Sequence, residues 1–155
     1  MQNTDNAKLP LPETWHNRIL KAAGYAASGF DHPLYRLGAK EGRISAYSLA
    51  FLDCLDGPQL LSVDSSRWTG GIGQTIHFHL KETIRIMQVR VMVRAGKTSK
   101  TVLESGHAYP SRLNPMVWTY ITKTDIRQTP GLCMDILAND LAGNFGADLV
   151  VFDYE

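Results

Sequence analysis

Two cysteines, Cys54 and Cys133, are all that 155 residues contain, and that excludes a disulfide framework. Cys54 falls in a helical pattern and Cys133 in a strand pattern, so both are expected as buried free thiols. Excess charge of one sign is also lacking: 16 Lys and Arg against 15 Asp and Glu leave a formal net charge of +1. So small an excess argues against a bulk electrostatic partner such as duplex DNA or an acidic membrane. No apolar run approaches the roughly 18 residues that read as a membrane-spanning helix. The opening Met1-Gln-Asn-Thr-Asp-Asn-Ala-Lys-Leu-Pro10 has no apolar core and no cleavage pattern. No signal peptide is read there, so a cytoplasmic or particle-associated location is expected, with export by another route left open.

Catalytic motifs are equally scarce. Trp68-Thr-Gly-Gly-Ile-Gly73 is rich in glycine, but its spacing fits neither a Walker loop nor a dinucleotide fingerprint. Between two strand patterns it reads as a hairpin connection. Ser, His and Asp are present without a Gly-x-Ser-x-Gly elbow. Glu13, Glu41, Glu82 and Glu104 sit on separate elements with no pairing signal for acid–base work. Neither an enzyme nor a cofactor is expected from this inventory.

What the chain does have is a helical first third and a β-rich remainder. A chain of this length buries about 68–70% of its unfolded surface, enough for one good-sized core. Residues 1–11 are polar with prolines and read as a flexible lead-in. Pro12-Glu13-Thr14 opens a helix over 13–28 with Trp15, Ile19, Ala22, Ala23 and Ala26 as its apolar stripe. A second start at Asp31-His32-Pro33 leads into Leu34, Leu37, Ile44, Tyr47, Phe51 and Leu55, ended by Asp56-Gly57-Pro58. The simplest reading is two helices, 13–28 and 33–55, with a kink or break near Gly42, in a helical segment spanning 12–57.

From Pro58 to Glu155 short β-rich runs alternate with Gly, Pro, Asn and Ser punctuation. Ile76, Phe78 and Leu80 alternate with His77 and His79, and Val89, Val91 and Val93 with Arg90, Met92 and Arg94. Val117, Thr119 and Ile121 alternate with Trp118 and Tyr120. Period two with one apolar face predicts an antiparallel two-sheet sandwich of about seven strands. Gly106 suits a bulge or sharp bend, and Asp140-Leu-Ala-Gly-Asn144 a tight hairpin.

Charge is segregated along this region. Residues 81–100 hold Lys81, Arg85, Arg90, Arg94, Lys97 and Lys100 against Glu82, and 128–155 hold Asp135, Asp140, Asp148, Asp153 and Glu155 with no base. These faces either neutralise each other within one molecule or complement each other between molecules. The second reading makes Arg85, Arg90, Arg94, Asp140, Asp148 and Asp153 interaction residues, with Trp68, expected exposed in its glycine-rich loop, as an anchor. Strand edges such as Ala147–Phe152 would add to another sheet. His77 and His79 project from one face of a strand, and His107 or Glu82 could complete a metal set if strands pair suitably. Exposed strand histidines are the simpler reading.

The order Leu61-Ser-Val-Asp, Thr75-Ile-His-Phe-His-Leu, Val89-Arg-Val-Met-Val, Leu103-Glu-Ser-Gly-His-Ala, Trp118-Thr-Tyr and Ala138-Asn-Asp-Leu-Ala-Gly-Asn144 resembles the bacterial immunoglobulin-like modules of adhesins, surface proteins and phage structural proteins. The closing Ala-x-Asp-x-Ala-Gly-Asn turn is its most specific part. The resemblance covers about residues 58–154; the cysteine–tryptophan–cysteine core of true immunoglobulin domains is absent, with Phe78 where a cysteine partner for Cys133 would stand. It implies a binding or structural module. The expectation is therefore a mainly β, immunoglobulin-like antiparallel sandwich with an N-terminal two-helix extension. Its expected role is a non-enzymatic structural or interaction protein that self-assembles or binds a protein partner. A carbohydrate- or peptide-binding module using Trp68 and the loop Tyr109–Met116 is the alternative.

Overall fold

Thr14 opens the described part of the chain as a helix cap, its hydroxyl accepting from the Asn17 amide at 3.2 Å. The computed structural model describes residues 14–126 and 131–152. The lead-in over 1–11, the start at Pro12 and Glu13, and Asp153 lie outside them. Helix α1 (Trp15–Gly29) buries Ala22 and Ala26, small residues that let α3 (Ala46–Leu55) lie close, with Ala50 buried on its side. Trp15, read as the head of the apolar stripe, is instead 59% exposed, and its ring carries the Arg18 guanidinium at 5.0 Å.

The single helix expected over 33–55 is two. Helix α2 (Pro33–Glu41) starts with proline in its first turn and the His32 Nδ1 accepting from the Leu34 amide, and it ends at an extended Gly42. Ser45 then caps α3, its hydroxyl accepting from the Ser48 amide at 3.1 Å. The break resets the helical phase. Leu37, Ile44 and Tyr47, aligned in the sequence as one stripe, face solvent, and Tyr35 is the fully buried residue of α2.

The rest of the chain is mainly β: two antiparallel sheets of four strands each. In chain order the strands are β1 (Gln59–Asp64), β2 (Thr75–Lys81), β3 (Ile86–Arg94), β4 (Val102–His107), β5 (Tyr109–Pro110), β6 (Val117–Ile121), β7 (Leu132–Asp140) and β8 (Phe145–Phe152). The first sheet runs β1-β2-β6-β5 and the second β4-β3-β7-β8. The strand beyond the seven expected is β5, whose two residues are too few to show periodicity. The alternations read from the sequence hold: Ile76, Phe78, Leu80, Trp118 and Tyr120 from the first sheet meet Val89, Val91, Val93, Leu132, Met134, Ile136 and Ala138 from the second in one core. Cys54 and Cys133 are both buried, and neither is in a disulfide. Gly143, at φ 86°, makes the β7–β8 turn in the left-handed region.

Trp68 corrects the sequence reading. The Gly-rich stretch is indeed the β1–β2 connection, but the Trp68 ring is buried, edge-on to Phe152 with centroids 4.9 Å apart. A large apolar ring in a loop gains about 2–3 kcal/mol by folding over the sheet rim, and Phe152 at the end of the edge strand provides the surface.

The helices cap one end of the two sheets. Ile84, from the β2–β3 crossing, and Leu141, from the β7–β8 turn, pack against the buried helical cluster of Ala26, Tyr35 and Ala50. Asn144 Nδ2 donates to the carbonyls of Asp53 and Cys54, both at 3.0 Å. At Gly146 a Cβ would lie 2.4 Å from the Pro58 carbonyl oxygen, so β8 runs tight against the link between α3 and β1.

Candidate functional site

The outer face of the second sheet carries Arg90 and Arg94, two of the residues singled out by charge. Arg94 grips Asp135 with two bonds, Nε to Oδ2 at 2.5 Å and Nη2 to Oδ1 at 3.0 Å, and its Nη1 donates to the carbonyls of Lys97 and Ser99. The guanidinium therefore serves an intramolecular clamp rather than the interaction surface expected of it. Part of the charge complement between 81–100 and 128–155 is thus used inside the molecule. Arg85 and Arg90 are exposed; Arg90 stands between His107 on β4 and Leu137 on β7, with no acid opposite. Asp148 is exposed, at a position of β8 opposite the buried Ile136. Asp140 is a second correction: it is buried, because the turn it opens folds the Asn144 amide back onto its Oδ1 at 2.7 Å and turns the carboxylate toward the helices.

Between these charges runs an apolar row. Phe145, Leu149 and Val151 on β8 are exposed at 77%, 42% and 44%. Register places Leu149 beside Asp135, which in turn faces Met92, while Leu137 lies beside Ala147. A shallow depression over Met92, Leu137, Ala147 and Leu149 joins them.

The histidines are not brought together. His77 and His79 share the outer face of the first sheet, where the His77 Nδ1 bonds the Thr119 hydroxyl at 2.9 Å. His107 lies on β4 in the second sheet, its Nδ1 3.3 Å from Gln88 Nε2. The two outer faces are on opposite sides of the core, and Glu82 lies elsewhere, at the seam with the helices.

That seam holds a cluster absent from the sequence reading. Carboxylate oxygens of Asp53 on α3, Glu82 in the β2–β3 crossing and Asp140 at the end of β7 lie within 4.8 Å of one another. Asp53 is fully buried, and Glu82 is half-buried. Each carboxylate is held from behind. Tyr35 Oη donates to Asp53 Oδ2 at 2.5 Å, the Thr83 amide to Glu82 Oε1 at 2.6 Å, and Asn144 Nδ2 to Asp140 Oδ2 at 3.1 Å. Asp53 Oδ1 and Glu82 Oε2 are buried without a donor in full hydrogen-bonding geometry, although the Ile84 amide lies near the Asp53 carboxyl and the Asp53 and Glu82 carboxyls face each other. Burial raises the Asp53 carboxyl above its ordinary range, against the pull of the Tyr35 hydroxyl. Burial likewise pushes Glu82 up to about 8; the Thr83 amide opposes this and the Asp140 charge adds to it. The signal in the sequence was Asp53 itself, the one charged residue of the largely apolar Ala46–Leu55.

Glu82 also borders a cleft of about 430 Å³ at the rim of the sheets. Leu80, Ile86, Met116 and Trp118 form its apolar wall, and His107 and Gln88 its polar one. Pro110, Pro115 and Met116 bring in the Tyr109–Met116 loop, and the buried Trp118 Nε1 has no acceptor. Among the described residues no helix is long and apolar enough to cross a membrane. No family model, curated protein or solved structure matches this chain, so its function is read from this face, this seam and this cleft.

Proposed function

We propose that this chain is a non-enzymatic interaction module of immunoglobulin-like topology that pairs with a second copy of itself through the outer face of its second sheet. Supporting the topology is the strand order: named A, B, C, C′, D, E, F and G in sequence, the strands give A-B-E-D and C′-C-F-G, the arrangement of immunoglobulin sandwiches with one added strand. The observation that carries the function is the apolar row of Phe145, Leu149 and Val151 on an edge strand, continued by Leu137 and Met92. Exposed apolar patches rimmed by charge mark interaction surfaces. Charge argues for a like partner: Arg90 on the outer face has no acid beside it, and the exposed Asp148 at the strand edge has no base opposite it, so a second copy meeting both the face and its edge offers each what it lacks. Asp148, at an inward register position of the edge, also discourages indiscriminate strand addition.

Size-exclusion chromatography with light scattering, run from about 0.05 to 0.5 M salt, is expected to show a dimer that weakens as salt screens these charges. Leu149→Lys is expected to weaken association at least about tenfold while leaving the fold intact. A monomer at every salt concentration removes the main support; a monomer that captures a different protein through Leu149 shifts the partner from self to other.

The cleft favours a second reading, a binding module for carbohydrate or peptide, because a buried indole N–H without an acceptor awaits one. Trp68, under Phe152, no longer belongs to it; Trp118 and the Tyr109–Met116 loop do. Glycan and peptide arrays separate the two: a specific ligand lost in Met116→Glu supports the cleft, and none is expected of an assembly module.

A further inference from the structure

Three carboxylates meet at the seam, and among the described residues none of them is ion-paired with a basic side chain. Buried like charges at this spacing require something positive between them, a proton or a cation. We infer that Asp53, Glu82 and Asp140 form a site for a hard divalent cation, Ca²⁺, Mg²⁺ or Mn²⁺, that fastens the helical cap to the two sheets.

Four observations carry this beyond the presence of acids. The fully buried Asp53 turns one oxygen, Oδ2, to Tyr35, while Oδ1, like Glu82 Oε2, has no donor in full hydrogen-bonding geometry; only the Ile84 amide lies near the Asp53 carboxyl, and the Asp53 and Glu82 carboxyls face each other. The oxygens converge within 4.8 Å, the span that ligands about 2.1–2.5 Å from one ion can cover. Each carboxylate has a protein donor fixing its orientation, from Tyr35, Thr83 and Asn144, the outer-shell support that ligands need. Glu82, the half-buried member, also borders a groove lined by Arg18, Asp56, Gln59, Lys81 and Thr83, which brings solvent to that side of the cluster.

The donor set is all oxygen, which selects hard cations over zinc. One ligand comes from α3, one from the β2–β3 crossing and one from the end of β7, so the ion would join the elements on which the seam depends. A proton shared between Asp53 and Glu82 is the competing arrangement, and it makes a different prediction: replacing one carboxyl by an amide would then relieve repulsion with no response to metal.

The test is the melting temperature of the whole chain, first in EDTA and then with CaCl₂, MgCl₂ or MnCl₂ in millimolar excess, with calorimetric titration of the same ions. At least one ion is expected to raise the wild-type midpoint by on the order of 5 °C, and to titrate near one equivalent per chain. Glu82→Gln, which keeps an acceptor for the Thr83 amide, and Asp53→Asn are expected to lose most of that rise. Absence of any shift or heat in the wild type overturns the site, as does an unchanged shift in Glu82→Gln; that variant decides the matter even if Asp53→Asn folds poorly. ZnCl₂, added as a fourth ion, is expected to give less than the hard cations, and a response to Zn²⁺ alone overturns the assignment to them.

Discussion

Glu104→Ala is expected to cost about 3–5 kcal/mol, a large share of the stability of a domain this size. Glu104 stands on β4 in the second sheet and is buried. Its Oε2 accepts from the Tyr120 hydroxyl at 2.5 Å and from the Lys123 amide at 3.0 Å, both on the first-sheet side. One side chain thus bolts the sheets together across the core. Its removal leaves a buried hydroxyl and a backbone N–H without acceptors, and each such orphan costs about 1–3 kcal/mol. Burial, with the Glu104 carboxylate beside it, raises the Tyr120 hydroxyl well above the ordinary tyrosine value, so it stays a donor. Gly106 makes the contact possible: a Cβ there would lie 2.6 Å from Lys123 Nζ and 3.1 Å from Tyr120 Cε2.

Urea denaturation reads the effect as a lower midpoint at unchanged slope. Tyr120→Phe is expected to cost less, about 1.5–3 kcal/mol, since Glu104 keeps the Lys123 amide. The double variant should fall short of the sum of the two by about 1 kcal/mol or more, because both remove one shared bond. Strict additivity, or a loss below about 1 kcal/mol for Glu104→Ala, would mean that the bolt is not formed in solution.

The sequence displayed this sheet pairing far better than it displayed the bolt. Alternation in Ile76–Leu80, Val89–Val93 and Val117–Ile121 records which face is buried, because a strand's side chains follow a period of two. Those residues are in the core as read. Strand β8 hid its role: on an edge both of its faces are partly wet, so Phe145–Phe152 shows no clean alternation. The helices misled for a different reason. A stripe from Leu34 to Leu55 assumes continuous phase, and Gly42 with the Ser45 cap interrupts it, turning Tyr35 inward and Leu37 outward.

Trp68 and Asp140 failed together and instructively. Composition marked one as an exposed loop aromatic and the other as a surface acid, but each is placed by a contact specific to this fold, Phe152 in one case and Asn144 with the α3 end in the other. The carboxylate seam combines three elements distant in the chain, and no local spacing foretells their convergence. Pairs such as Glu104 with Tyr120 belong to the same class: buried polar partners are chosen by topology, and only after the strand order is known can they be found.

Tyr35→Ala is expected to be as damaging as the loss of Glu104, about 3–5 kcal/mol, and to test whether cap and sheets stand or fall together. The ring is fully buried in α2, edge-on to Tyr25 at 6.2 Å and to His32 at 5.8 Å. Its single hydroxyl proton goes to Asp53 Oδ2, so the 2.6 Å contact with Tyr25 Oη is one in which Tyr25 donates. Alanine would open a ring-sized cavity and remove the Tyr35 hydroxyl donor from the buried Asp53. Tyr35→Phe keeps the packing and removes the donor alone, for about 1.5–3 kcal/mol. The order of the two variants therefore divides packing from hydrogen bonding. Because α3 is tied to the β7–β8 turn through Asn144, and Ile84 and Leu141 share the helical cluster, loosening Tyr35 should loosen the sheet end as well. Far-ultraviolet circular dichroism and the fluorescence of the buried Trp68 and Trp118 are expected to report one coincident transition in Tyr35→Ala, shifted downward as a unit. A helical signal that melts first, with the tryptophan transition left where the wild type has it, would show instead that the cap rides on the sheets without supporting them.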